Sequence, residues 1–241
     1  MHEESLVNAP GLTIVENQLL MGIPRKYRQR VLAACELVEL SVSEVIYEAQ
    51  QRIRFVYFPI DSFVSYLATA DETNQLEVGM AGKEGMVGTS LILGIDVAPF
   101  HILVQGAGSA WRMKTELFLE ELAHNLPLRR RLQHYLYVVM SQIAQTAACT
   151  RFHLVEQRVA RWLLMTQDRA HSDELYLTQE FLSHMLGVRR VGISNAATSL
   201  HQQNLISYSR GQIQILDREG LIAASCQCYQ ADKDHYSNMM K

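Results

Sequence analysis

Residues 177–216, LTQEFLSHMLGVRRVGISNAATSLHQQNLISYSRGQIQIL, constrain this chain more than any other stretch. Thr178 is placed to cap a short helix, Gln179 to Leu186, with Phe181, Leu182, Met185 and Leu186 on one face. Gly187 ends it as a left-handed C-cap residue. A second helix starts at Arg189 or Arg190 and runs to about Gln203, with Ile193, Ala196, Ala197 and Leu200 on its apolar side. Two short helices across a glycine turn are the sequence form of a helix-turn-helix. Leu205 to Tyr208 and Gln212 to Leu216 then read as strands about a Ser209-Arg210-Gly211 turn, a β-hairpin wing.

Charge agrees with a nucleic-acid surface there and nowhere else. The whole chain has 241 residues and a formal charge of −3, which excludes a uniformly basic coat. From Phe181 to Leu216 there is no Asp or Glu, while Arg189, Arg190 and Arg210 are present. Residues 1–150 hold 12 Lys and Arg against 16 Asp and Glu; residues 151–241 hold 10 against 9. The C-terminal part can approach a phosphate backbone, and the N-terminal part would be repelled by it.

Upstream, the hydrophobic period changes twice. Residues 12–37 read as short helices, with Leu12, Val15, Leu19 and Leu20 before a Gly-Ile-Pro break at 22–24 and Tyr27, Val31 and Leu32 after it. From 38 to 113, short β-branched and aromatic runs follow one another at 45–47, 55–58, 63–67, 76–78, 101–104 and 110–113, the pattern of an antiparallel sandwich or jelly roll. Pro127 opens a long helix to about 148 that contains no further Pro or Gly. On it Leu128, Leu132, Tyr135, Val139, Ile143 and Thr146 step by three or four, a stripe that fits a dimer seam or packing on the chain's own sandwich, with dimerisation the preferred reading. A further helix spans Leu154 to Arg169, and the polar run 170–174 ends it. The fold class expected is therefore α+β: a jelly-roll effector domain (1–126), a dimerisation helix and hinge (127–150) and a winged helix-turn-helix domain (151–241).

Cys35, Cys149, Cys226 and Cys228 are too few and too scattered for a disulfide framework, and the acidic start lacks the features of an export signal, so a reduced, cytoplasmic protein is expected. The most apolar stretch, Gly85 to Trp111, is broken by Asp96, Pro99 and His101, so no membrane partner is expected. Cys226-Gln227-Cys228 reads as an incidental pair, with Cys35 and Cys149 in other segments, and neither a metal site nor an iron-sulfur set is expected. His101 and His124 are the lone histidines a haem would require, with nothing to single them out.

The order of sandwich, long helix, helix-turn-helix and wing, with Leu177-Thr178-Gln179-Glu180, Leu186-Gly187-Val188-Arg189-Arg190 and Gln203-Asn204-Leu205-Ile206, resembles the bacterial cyclic-AMP receptor and fumarate-nitrate regulator (Crp/Fnr) superfamily of transcription regulators. The resemblance implies a homodimer joined through helix 127–148, double-stranded DNA as partner with the second helix in the major groove, and RNA polymerase as a further partner. It implies that Arg190 reads guanine and that Asn195 contacts a base or phosphate. Thr178 and Gln179 would meet the backbone, as would Arg210 at the wing tip. Arg189 stands where the family has Ser or Thr, trading a capping hydroxyl for a charge. Val191 replaces a glutamate that accepts from cytosine, so the operator cannot be copied from the best-known members. Gly192 and Ser194 complete the candidate surface, the glycine costing roughly 1 kcal/mol against Ala in a helix.

The same resemblance marks what is missing. Gly88-Thr89 stands where nucleotide-binding members have Gly-Glu, and Ala98-Pro99 where they have Arg-Ser. With no arginine between Arg54 and Arg112, a cyclic phosphate has no bidentate partner, so cyclic AMP in the usual mode is not expected and the effector is unassigned. Lys83 and Glu84 read as a turn-exposed ion pair. The alternative reading is a ligand- or protein-binding module that uses the helix-turn-helix as a scaffold. No nucleophile elbow, phosphate loop or His-x-x-x-His pair suggests an enzyme, and Glu180 with His184 reads as exposed first-helix residues.

Overall fold

A computed structural model of the chain describes residues 17–71, 75–209 and 211–241. Two short helices, α1 (Gln18–Met21) and α2 (Arg25–Ala33), lead into β1 (Glu36–Leu40), β2 (Val45–Tyr47), β3 (Phe55–Pro59), β4 (Phe63–Thr69) and β5 (Gln75–Ala81). A 3-10 turn (Thr89–Leu93) precedes β6 (His101–Gly106) and β7 (Gly108–Lys114), and then come α3 (Thr115–His124), α4 (Leu126–Phe152) and α5 (Val155–Ala170). The C-terminal part is β8 (Glu174–Tyr176), α6 (Gln179–Leu186), α7 (Arg190–Gln202), β9 (Ile206–Ser209), β10 (Gln212–Ile215), α8 (Arg218–Ala224) and α9 (Cys228–Met239). Residues 12–16 of the expected N-terminal helices lie outside the described residues.

The first seven strands form two antiparallel sheets, β1-β7-β3 and β2-β6-β4-β5, face to face around Val56, Phe58, Val64, Tyr66, Val104 and Met113. The expected sandwich is present. β1 begins at Glu36, inside the stretch read as helical to 37, because Leu37 to Leu40 pair in register with Trp111 to Gly108. Nothing in the sequence reading assigned α3, β8, α8 or α9.

Asn125 caps α4, its Oδ1 accepting from the Leu128 amide, and Pro127 sits in the first turn where its missing N–H costs nothing. The apolar stripe picked out on this helix requires a correction. Leu128, Leu132, Tyr135 and Val139 are buried in the core of the chain's own sandwich, and Ile143 packs against it. They are the inward face. The outward face carries Leu126, Arg130, Gln133, Tyr137, Met140, Ala144, Ala147 and Arg151, all exposed and alternating by four and three residues. Sequence periodicity reveals that a helix has faces; it cannot say which is already covered.

The C-terminal part packs directly on the outer side of the sandwich. Leu67 of β4 and Met80 of β5 belong to one hydrophobic cluster with Val159, Trp162 and Leu163 of α5, Leu182 of α6 and Ile193 of α7. Within that contact lies a buried carboxyl. Glu77 accepts from the Ser65 hydroxyl at 2.7 Å and from the Trp162 indole N–H at 3.0 Å. A second polar tie joins Arg169 of α5 to Glu84 at 2.7 Å, both side chains largely buried, and Tyr236 of α9 donates to the Glu84 carbonyl at 2.9 Å. Glu84 is therefore not half of a turn-exposed pair with Lys83; its partner comes from 85 residues downstream.

Burial pushes the Glu77 carboxyl up from 4.5 to about 7, against the smaller lowering effect of its two donors and of Arg169 and Arg161. The folded chain thus holds this proton more tightly than the unfolded chain. The contact is at full strength below about pH 4.5 and weakens as pH rises through 7, by up to ~3 kcal/mol. Glu77→Gln keeps an acceptor for Trp162 and removes the titration. In denaturant unfolding, the variant is expected to gain on wild type from about pH 4.5 to pH 7 and to level off above that; parallel stability profiles would refute this assignment.

Candidate nucleic-acid interface

Thr178 occupies the N-cap of α6 in extended conformation, and its Oγ1 accepts from the Phe181 amide at 3.1 Å. Gln179 is the first residue of that helix and partly exposed. At the other end Gly187 has φ 59° and ψ 41°, with the Gly187 amide donating to the His184 carbonyl and the Val188 amide to that of Ser183. A side chain at Gly187 would be strained by that φ and would press on Leu76 of β5. Arg189 is the N-cap of α7 and supplies no side-chain hydrogen bond to it, which leaves its guanidinium free to face outward; Arg190 is the first helical residue. Both are exposed.

Along α7, Ile193, Ala196, Ala197 and Leu200 are buried against the rest of the domain. Val191 is 63% exposed, and Asn195 and Thr198 are exposed on the same side, with Ser194 partly so. The structure thus brings Arg189, Arg190, Val191, Ser194 and Asn195 onto one outward face, with Thr178 and Gln179 on the preceding helix. The groove beside the turn, about 520 Å³, runs from Arg189 and Arg190 to Gln75 and Leu76 of β5. β9 and β10 pair from Ile206 with Ile215 to Ser209 with Gln212, and β8 joins on the far side of β10. Arg210 lies outside the described residues.

What holds the two helices at their angle was not legible in the sequence. Arg158 of α5 is buried and donates to the Leu186 carbonyl, filling a vacancy that every helix C-terminus has. The Gln203 side chain, at the C-cap of α7, bonds Glu156 of α5 at 3.0 Å. An arginine inside the apolar run Val155, Val159, Trp162 was the available signal, since a charge at a buried helical position requires an acceptor.

Gly192 sits in the first turn of α7, where a Cβ would meet only Val155, at 3.9 Å, an ordinary contact. Packing does not require glycine here. Gly192→Ala is expected to stabilise the fold by about 1 kcal/mol through helix propensity, read as a raised unfolding midpoint. A lowered midpoint would show that this helix needs the glycine for its own folding.

The position where the resemblance puts a cyclic nucleotide is closed. Gly88 takes φ 97° ahead of the 3-10 turn, and the space between it, Ala98-Pro99, Ile53, Tyr66 and Val139 amounts to about 10 Å³, no more than a single water occupies. Tyr66 and Phe100 line it, their ring centroids 6.0 Å apart.

Three of the four cysteines, scattered in the sequence, are grouped in space. Cys149 and His153, one helical turn apart at the end of α4, meet Cys226 and Cys228 at the start of α9, and one donor atom from each lies within 4.8 Å of all the others. The Cys226/Cys228 pair is part of a cluster whose other half lies 73 residues earlier in the chain. The signal was the Cys-x-x-x-His spacing at 149–153, which puts both side chains on one helix face.

The family described as the Crp-like helix-turn-helix domain matches residues 157–224. No curated protein matches the chain. Among solved structures it is similar to the c-di-GMP-responsive global regulator CLP of Xanthomonas campestris, at 17% identity and TM-score 0.65, covering 80% of this chain and 99% of that one. It is similar also to FixK2 of Bradyrhizobium japonicum, at 16% and 0.64 over 80% and 98% of the two chains. A CRP-family transcriptional regulator of Thermus thermophilus gives 15% and 0.63 over 78% and 96%. Residues 157–224 thus match the Crp-like helix-turn-helix domain, and the chain as a whole has the fold of these regulators.

Proposed function

We propose that this chain is a homodimeric, sequence-specific DNA-binding transcription regulator divided into an effector domain (1–126), a dimerisation helix with hinge (127–150) and a winged helix-turn-helix domain (151–241). The observation that carries the reading is the outward face of α7: two arginines at its N-terminus, then Val191, Ser194 and Asn195, with no acid between Phe181 and Leu216. A helix N-terminus adds its own attraction for phosphate to that of the arginines. Arg190 is assigned to base reading and Arg189, Thr178, Gln179 and Arg210 to the backbone; Val191 offers a methyl-bearing surface of the kind that meets thymine.

The outward stripe of α4 supports the dimer. Tyr137 and Met140 are 53% and 60% exposed at its centre, with Ala144 and Ala147 beyond them, small enough for close helix approach. A two-fold axis there would carry the two α7 helices to successive major grooves, about 34 Å apart. RNA polymerase remains the implied partner for activation. The closed space between Gly88 and Ala98 supports an effector domain that does not take cyclic AMP in the usual way.

Fluorescence anisotropy on genomic promoter fragments tests the reading. A subset of fragments should bind strongly, and Arg190→Ala should weaken that subset by 1–3 kcal/mol, about 5- to 150-fold, with little effect on the rest. Equal affinity for every fragment, unchanged by Arg190→Ala, would overturn it. The dimer is tested separately by light scattering: Met140→Glu should yield monomers with an unchanged circular dichroism spectrum, whereas persistence of the dimer would move the interface elsewhere.

A further inference from the structure

Cys149 lies in the last turn of α4 and His153 is that helix's C-cap residue; the His153 amide donates to the Cys149 carbonyl at 3.1 Å, which fixes the two side chains on one face. Cys228 is the first residue of α9 and Cys226 stands two residues before it. Cys149, Cys226 and Cys228 are buried, none is in a disulfide, and His153 is partly buried. The Cys149 and Cys226 sulfurs are 3.5 Å apart, and the Cys228 sulfur is 3.4 Å from His153 Nδ1. Gln145, one turn back along α4, donates its amide to the Cys228 sulfur at 2.9 Å.

These separations discriminate among the chemistries that three thiols and an imidazole can support. A tetrahedral ion with bonds of about 2.3 Å to sulfur and 2.0–2.1 Å to nitrogen has edges of roughly 3.8 Å between sulfurs and 3.6 Å between sulfur and nitrogen. The two close contacts, 3.5 Å between the Cys149 and Cys226 sulfurs and 3.4 Å from the Cys228 sulfur to His153 Nδ1, are near those edges, and all four donor atoms lie within 4.8 Å of one another. An iron-sulfur cluster divides its four ligands between at least two iron atoms, and ligands on different irons stand further apart than the 4.8 Å within which all four donor atoms lie here. A disulfide would use two of the thiols and leave the third and the imidazole without a purpose. Simple packing of cysteines as small apolar groups does not account for a ring nitrogen aimed at a sulfur.

We propose that Cys149, His153, Cys226 and Cys228 bind one divalent cation of the thiolate-preferring, tetrahedral class, with Zn²⁺ the best fit. All four positions are filled by the protein, so the site is structural in kind, with no open position for a substrate. On binding, the three thiols lose their protons to solvent, three sulfur–metal bonds and one nitrogen–metal bond form, and the dication becomes a unit of net charge −1. Arg158 and Arg161 line the same small cavity as Cys149 and face that charge. Gln145 orients the Cys228 thiolate. The ion would clamp the start of α9 to the joint between α4 and α5. This inference does not rest on the DNA-binding reading, since occupancy is measured without DNA.

The test uses the full chain, purified under reducing conditions, stripped of metal, and titrated with Zn²⁺ alone and with Co²⁺ alone. One equivalent per chain should bind. Cobalt should show a thiolate charge-transfer band in the near ultraviolet and the intense visible bands of a tetrahedral site. Cys149→Ser and Cys226→Ser should bind less than about a tenth of an equivalent, Cys35→Ser should bind like wild type, and Gln145→Ala should keep the stoichiometry with affinity lowered about 10-fold. The wild-type titration needs no variant to fold. No stoichiometric uptake by the reduced wild type, uptake undiminished in Cys149→Ser, or iron with acid-labile sulfide as the bound species would each overturn the proposal.

Discussion

The contact of Trp162 with Glu77 is the point on which the arrangement of this chain turns. Leu67 and Met80 project from the β2-β6-β4-β5 sheet into the hydrophobic cluster of the helix-turn-helix, so that cluster is closed by residues from both halves. Burial of that apolar surface supplies the adhesion, at roughly 25 cal/mol per Å². It does not by itself specify an angle. The Glu77 carboxyl does, because a desolvated acid needs its donors in fixed directions, and those donors are a serine on β4 and the indole N–H of α5.

Around this contact α5 serves as the hub of the molecule. Its residues from Arg158 to Gln167 are all buried, and each polar member of the run that bridges to another element meets a distinct one. Arg158 caps α6, Trp162 reaches β5, and Arg161 pairs with Asp232 of α9 at 2.6 Å. At its C-terminal end Asp168 accepts from Arg218 and Tyr229, and Arg169 holds Glu84. A rigid helix with that many fixed partners cannot turn alone. A rotation at the joint with α4 would carry the helix-turn-helix with it and would have to break the Glu77 and Glu84 ties together.

The elements of the helix-turn-helix were legible in the sequence because each is specified locally: Thr178 by its cap, Gly187 by its positive φ, the α7 core face by its spacing. The seven strands were mostly legible for the same reason, since period-two runs need only their neighbours. Long-range facts were not. Leu128 to Val139 form as regular a stripe as any dimer seam, and only the sandwich packed on them shows that they are already occupied. Arg158, Arg161 and Arg169 look like the solvated face of an amphipathic helix until Leu186, Asp232 and Glu84 arrive from elsewhere in the chain. Cys149 and Cys226 look unrelated for the same reason. α8 and α9 carry too weak an apolar period to announce themselves; α9 buries only Cys228, Tyr229 and Asp232.

The closed space beneath Gly88 bears on how the sandwich is coupled to the rest of the chain. A cyclic nucleotide in that position would touch Val139 of α4 and so reach the helix directly. With about 10 Å³ available, that route carries no ligand of such size. The Glu84 segment is tied instead to Arg169 of α5 and Tyr236 of α9, which adds one ion pair and one hydrogen bond to the Glu77–Trp162 contact and the shared hydrophobic cluster between the two halves. At its other end α5 meets α4 beside Cys149 and His153, with only His153 and Leu154 between the two helices. A chemical event there needs no cavity in the sandwich: joining α9 to the end of α4 constrains the joint itself. The two ends of α5 are therefore held by different chemistry, the Arg169–Glu84 ion pair at one and the joint beside Cys149 and His153 at the other.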